Sequence, residues 1–252
     1  MSVHISRDCS SPRGEPIHRP LIRVRSLHRR LGLIEAVAGV SFCLYRGEIS
    51  VLLGANGAGK TTLLRLMAGL LRPGSGYVRA GDREVRHTDP VSRAGVVFVG
   101  HHTSSFDELS VIENVCFAAQ LRGIRPAANI RHALDRFQLW NYRLRPTREL
   151  SRGLRQRLEL AQALVSEPEV ILLDEPYNAL DQQARSHVDK VLIGCRERAA
   201  ILIATHDIDH ARTISDRILV LHNGRLAVDG AVESVDRAHI ASVIEHGVVP
   251  KS

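Results

Sequence analysis

A lysine followed by two hydroxyls ends a glycine-rich run, Gly54-Ala55-Asn56-Gly57-Ala58-Gly59-Lys60-Thr61-Thr62. The run fits G-x-x-x-x-G-K-[ST], a spacing whose chemistry is the grip of a phosphate chain. Its glycines let the backbone curl so that successive N–H groups point inward at β- and γ-phosphates. Lys60 brings a mobile cation, and the Thr61 hydroxyl is placed for Mg²⁺. An acidic pair, Asp174-Glu175, stands 114 positions after Lys60. Asp174 would hold Mg²⁺, directly or through water, and Glu175 would accept a proton from, or orient, the water that attacks the γ-phosphate. The bland alternative for the pair is a helix N-cap before Pro176. Two adjacent acids behind four apolar residues favour the chemical reading. His206 and His210 invite a metal reading at i, i+4, but His-Asp-Ile-Asp-His is not H-E-x-x-H and no third ligand is evident.

The elements around these residues suit the roles. The apolar run Ile49 to Leu53 predicts a strand before the loop, and the amphipathic run Leu63 to Leu71 predicts a helix after it, whose positive N-terminal end adds to the phosphate site. Val170 to Leu173 predicts a short strand covered on both faces, as in a parallel sheet. A carboxylate at the carboxyl end of such a strand lies on the edge where open α/β sheets bind ligands. Ala200 to Thr205 predicts another buried strand, followed by a short helix from about Ile208 to Ile214. Leu21 to Arg25 and Val40 to Leu44 read as antiparallel strands. Tyr77–Arg79 with Glu84–Arg86, and Ile218–Leu221 with Arg225–Val228 through Asn223-Gly224, read as hairpins. Gly95 to Val99 is a further buried strand. Between it and the acidic strand the pattern turns helical. Ser110-Val111-Ile112-Glu113 is a capping box opening a helix to about Leu121, and Ala127 to Phe137 fits a second. Gln182 to about Arg198 predicts another helix. The last twenty residues are weakly patterned and yield no assignment.

Composition narrows the class. At 252 residues the chain can bury a full α/β core. The net charge is +7, but residues 1–30 hold seven Arg against two acids, so +5 of it sits in a leading segment. With aromatics at 4% and no basic stripe in the body, no specific nucleic-acid partner is expected. No apolar run approaches the ~18 residues needed to cross a bilayer, and the N-terminus lacks the apolar centre of a secretory signal. Four Cys without a C-x-x-C pair suit reduced thiols and argue against a zinc ribbon.

Further motifs carry a family resemblance. Leu150-Ser151-Arg152-Gly153-Leu154-Arg155-Gln156-Arg157 resembles the signature segment of ATP-binding-cassette (ABC) ATPases, and Asn178-Ala179-Leu180-Asp181 and Thr205-His206-Asp207 follow in that family's order. The resemblance spans about residues 21–230. It implies an α/β P-loop NTPase fold: a RecA-like, mainly parallel sheet with an antiparallel β subdomain and a helical signature subdomain at about 101–165. Residues 1–20 would be a flexible basic extension and 231–252 a C-terminal tail. The resemblance further implies ATP and Mg²⁺ as cofactors and a head-to-tail pair of copies, with ATP held between the phosphate loop of one and Ser151, Arg152 and Gly153 of the other. His206 would read the γ-phosphate, Asp181 would sit in the loop crossing between the two sites, and Leu31 would lie where an aromatic usually stacks on adenine. His101 stands where the family offers a Gln to magnesium. A separate transmembrane permease would be the partner, placing the chain in the cytoplasm, peripheral on the inner face of the membrane.

Within the family, Gly100-His101-His102, the run Phe106 to Val115, the segment Ser151 to Arg157 and the run Asp174 to Gln183 resemble the haem-exporter ATPase of cytochrome c maturation. The expected function is therefore ATP hydrolysis for an exporter linked to haem and cytochrome c biogenesis. A drug, lipid or polysaccharide exporter is the alternative. A soluble cassette ATPase of iron–sulfur assembly or nucleic-acid metabolism is the minor one. The chain departs from the family's Leu-Ser-Gly-Gly-Gln at Arg152 and Leu154.

Overall fold

The computed structural model describes residues 19–100, 104–124 and 127–247. The chain divides into two compact units. The larger unit, residues up to 98 with 169–174 and from 196 on, holds both sheets. Its four-stranded antiparallel sheet contains β1 (Ile22–Leu31), β2 (Ile34–Leu44), β4 (Ser75–Ala80) and β5 (Arg83–Glu84), in the order β2-β1-β4-β5. Its six-stranded sheet adds β3 (Ile49–Leu53), β6 (Val96–Val99), β7 (Val170–Asp174), β8 (Ala200–Thr205), β9 (Arg217–His222) and β10 (Arg225–Ala231), in the order β10-β9-β3-β8-β7-β6. β3 runs parallel to β8 and β9, β7 runs parallel to β8, and β10 is antiparallel to β9.

Every residue of β3, β7 and β8 is buried, which is why these strands are mostly apolar rather than alternating, with Ser50 the polar exception inside β3 and Asp174 and Thr205 at the ends of β7 and β8. Helix α1 (Lys60–Met67) buries Leu63, Leu64, Leu66 and Met67 in one cluster with Leu52, Leu172, Leu202 and Leu219 of the sheet and Val24, Val40 and Phe42 of β1 and β2. At ~25 cal/mol per Å² of apolar surface, each fully buried Leu contributes on the order of 2 kcal/mol. Arg217, at the start of β9, is buried with its guanidinium on Asp229 (2.6 and 2.7 Å) and the Cys43 carbonyl (2.9 Å). Asp229 and Glu48 supply the opposite charge that a buried cation requires.

The smaller unit, 99–168 with 175–195, is helical. It contains α2 (Val111–Leu121), α3 (Ala127–Arg136), α4 (Arg152–Leu164) and α5 (Gln182–Cys195). The capping box at Ser110 and Glu113 forms in both directions. Helix α5 ends at Cys195, three residues before the expected Arg198, because Arg196 to Arg198 turn towards β8. Cys116 and Cys195 are free, but Cys43 is disulfide-bonded, so the expectation of reduced thiols is corrected at Cys43. The larger unit closes with α6 (Ile208–Ile214) and α7 (Arg237–His246), the latter in a stretch whose weak pattern predicted nothing.

Candidate nucleotide site

The register of the parallel strands brings the site residues of the larger unit to one edge. Leu53 pairs with Thr205 and Asp174 pairs with Ala204, so β3, β7 and β8 end at the same level. The phosphate loop leaves from β3, Glu175 is the residue after β7, and His206 the residue after β8.

The loop is shaped by close backbone approach. A side chain at Gly54 would come within 2.4 Å of the Leu221 carbonyl, and one at Gly59 within 2.1 Å of the Ala36 carbonyl. Gly59 has φ 103°, a conformation open to glycine. The exposed residues Ala55, Asn56 and Gly57 form the rim, and Ala58 N–H closes a turn on the Ala55 carbonyl at 3.1 Å. Lys60 is buried, its Nζ donating to the carbonyls of Gly54 (2.6 Å) and Ala55 (3.1 Å). The ammonium thus folds back onto the carbonyls of its own loop. Thr62, half-buried, follows on the first turn of α1.

Thr61 and Asp174 meet. The Thr61 hydroxyl donates to Asp174 Oδ2 at 2.7 Å, and Asp174 is only 2% exposed. Its other oxygen, Oδ1, is buried without a hydrogen-bond partner. A buried carboxylate oxygen left unpaired costs free energy, and a divalent cation is a group that would satisfy it. The donor set, a hydroxyl and a carboxylate, is hard oxygen and suits Mg²⁺. Glu175 is buried and sits at φ 51°, in the left-handed region that costs a non-glycine residue of order 1 kcal/mol or more. His206 is exposed, and Asp207 behind it caps α6 by accepting from His210 N–H at 3.0 Å. Leu31 lies at the tip of the β1–β2 hairpin, 44% exposed and paired across the strands with Ile34.

The helical unit carries the signature residues. Ser151 is the N-cap of α4, accepting from Leu154 N–H at 3.3 Å, and Ser151 and Arg152 are both exposed at that positive helix end. Gly153 lies under the loop that follows Glu175: a Cβ there would stand 3.0 Å from the Ala179 carbonyl. Asp181 is exposed and caps α5 through Ala184 N–H at 2.8 Å. His101 lies outside the described residues.

Two features went unread in the sequence. Glu159, on α4, is 5% exposed and accepts from the N–H groups of Ser104 (3.0 Å) and Ser105 (3.1 Å) and from both hydroxyls. Nothing in Arg-Leu-Glu-Leu marks that glutamate as buried. The Leu221–Gly224 turn packs on the phosphate loop, with Gly224 N–H donating to the Ala58 carbonyl at 3.0 Å. Its Asn-Gly pair signalled a hairpin but not its neighbour.

The fold and this edge define a P-loop nucleotide-binding protein. The sequence matches the ABC transporter family over residues 37–178, more than half of the chain. It is 35% identical over 240 residues to a sulfate/thiosulfate import ATP-binding protein of Rhizobium meliloti, covering 92% of this chain and 69% of the relative. It is 36% identical over 221 residues to a spermidine/putrescine import ATP-binding protein of Pseudomonas aeruginosa, covering 86% and 61%. The chain thus spans about two thirds, or less, of the length of these curated relatives. A solved structure described as an ATP binding subunit of an ABC transporter shares the fold, with TM-score 0.82 and 24% identity, over 89% of this chain and 99% of that one. The chain belongs to the ABC transporter family, as an ATP-hydrolysing member.

These matches correct the expected function. The curated relatives are named for import, not for haem export or cytochrome c maturation. The resemblance to that exporter rested on short stretches, Gly100 to Val115, Ser151 to Arg157 and Asp174 to Gln183, whereas the import relatives match over most of the chain.

Proposed function

We propose that the chain is the ATP-driven motor of an importer, working as two copies on a separate permease that spans the membrane, on its cytoplasmic face. The observation that carries the nucleotide reading is the Thr61–Asp174 hydrogen bond beside Lys60, in which the Asp174 carboxylate is buried with one oxygen unsatisfied. Thr61 and Asp174 would hold Mg²⁺, which when bound would offset charge on the phosphate oxygens. Lys60 exchanges its carbonyl partners for phosphate oxygens, and the loop N–H groups line the phosphate chain. Glu175 takes the proton of the attacking water, and His206 donates to the γ-phosphate. Leu31 packs on the base without aromatic stacking. Ser151 and the Gly153 backbone of the second copy close the site, with Arg152 adding positive charge, and Asp181 sits at the crossing between the two sites.

Import as the direction of transport is supported by the names of the relatives. Those names cover an anionic and a polycationic solute, so the cassette carries no signature of cargo charge. The test is Glu175→Gln with Mg-ATP, followed by light scattering on the eluting protein. A stable species of about twice 27.9 kDa, with hydrolysis down by about 10² or more, is expected. A variant that turns over ATP like the parent, or stays monomeric, would end the assignment.

A further inference from the structure

The phosphate loop is braced from behind by a chain of contacts that reaches the C-terminal helix, all within the larger unit. The Asn223-Gly224 turn has positive φ at both residues (48° and 73°), the conformation a two-residue hairpin demands. It is wedged between β2 and the loop. Gly224 N–H donates to the Ala58 carbonyl at 3.0 Å, Ala38 N–H donates to the Gly224 carbonyl at 2.8 Å, and the Leu221 carbonyl occupies the space a side chain at Gly54 would need. By taking the Ala58 carbonyl outward, the turn helps leave the loop's N–H groups facing a phosphate.

His222 holds that turn. Its Nδ1 lies 3.3 Å from the Ile244 carbonyl in the last turn of α7, and its Nε2 lies 3.0 Å from Asn223 Nδ2. A carbonyl only accepts, so Nδ1 carries the proton and Nε2 accepts from the Asn223 amide. One neutral imidazole thus satisfies a helix-end carbonyl, which has no partner within its own helix, and steadies the turn residue beside it. The ring also packs against Gly247, where a Cβ would stand 3.1 Å from it. Helix α7 is a firm support: Ile240 and Val243 are buried, and Arg237 pairs with Asp209 of α6 through two bonds of 2.6 and 3.0 Å.

We infer that His222 is a positioning residue for the phosphate loop, setting nucleotide affinity by tying the Leu221–Gly224 turn to helix α7. The inference rests on the nucleotide reading proposed above. It separates binding from chemistry, because His222 braces the loop's backbone and not the residues that move protons.

The test is calorimetric titration of the full chain with Mg-ATP at 25 °C, beside steady-state hydrolysis, for the parent, His222→Ala and His222→Phe. Phenylalanine keeps the ring's volume against Gly247 and removes both hydrogen bonds, so it decides the matter if the alanine variant does not fold. The expected result is a Kd and KM raised about two- to tenfold, the equivalent of one hydrogen bond, with kcat within about twofold. A folded His222→Phe with the parent's Kd overturns the inference, as does a loss of kcat at unchanged KM. A parent chain that binds no Mg-ATP would overturn the nucleotide reading itself, and the inference with it.

Discussion

Replacing Thr61 by Val is nearly isosteric and removes one hydroxyl, so it isolates what holds Asp174. In the parent, that hydroxyl donates to Oδ2 at 2.7 Å while Oδ1 has no hydrogen-bond partner, and the residue is 2% exposed. A hydrogen bond to a charged group is worth ~1.5–3 kcal/mol, and water cannot readily replace this one. At ~2–4 °C per kcal/mol for a domain of this size, the first unfolding transition should fall by about 3–12 °C when measured by calorimetry in EDTA. Hydrolysis should move differently. The kcat/KM for Mg-ATP should fall sharply, while affinity for ATP in EDTA stays within about twofold, because Lys60 and the loop N–H groups are untouched. An unchanged transition temperature in EDTA would refute the argument that Thr61 supports the buried carboxylate.

Three other outcomes follow from particular contacts. Gly153→Ala puts a Cβ 3.0 Å from the Ala179 carbonyl and should displace the loop after Glu175, lowering kcat by about tenfold with KM little changed; equal kcat would contradict it. Leu31→Tyr restores a ring at the half-exposed hairpin tip, so the ratio of GTP to ATP dissociation constants should rise about two- to tenfold, and an unchanged ratio in a competition titration would count against Leu31 as the base contact. The Glu113 carboxyl is held below its ordinary value by the hydrogen bonds from Ser110. A depressed carboxyl contributes stability above its unfolded value that is lost as pH falls through the folded one, so Glu113→Gln should flatten the acid limb of a stability–pH curve; an identical limb would show that the box is not the cause.

The centre of the sheet was legible because β3, β7 and β8 are buried along their whole length. Val170–Leu173 and Ala200–Thr205 admit few other readings, and the loop after Ile49–Leu53 is marked by glycines that the structure requires at Gly54 and Gly59. Helix α2 was legible through its cap. What sequence could not supply was partnership between distant residues. Glu159 looks like any helix-surface acid until Ser104 and Ser105 close on it. Arg217 looks like a strand-end charge until Asp229 and Glu48 surround it. Helix α7 is short, and Ile240 and Val243 are the two side chains it fully buries, too few for a clear period. The exporter assignment failed for a related reason: residues such as Gly100 to Val115, Ser151 to Arg157 and Asp174 to Gln183 report on the cassette, not on what a permease carries.

The most direct test of the nucleotide site is a titration of the purified full chain with ATP and Mg²⁺, beside Lys60→Ala. The structure predicts saturable binding by the parent and a loss of at least about tenfold in affinity for the variant, since the ammonium now buried on the Gly54 and Ala55 carbonyls is the loop's mobile cation. Equal affinity in the two proteins, or no binding by either, would contradict it.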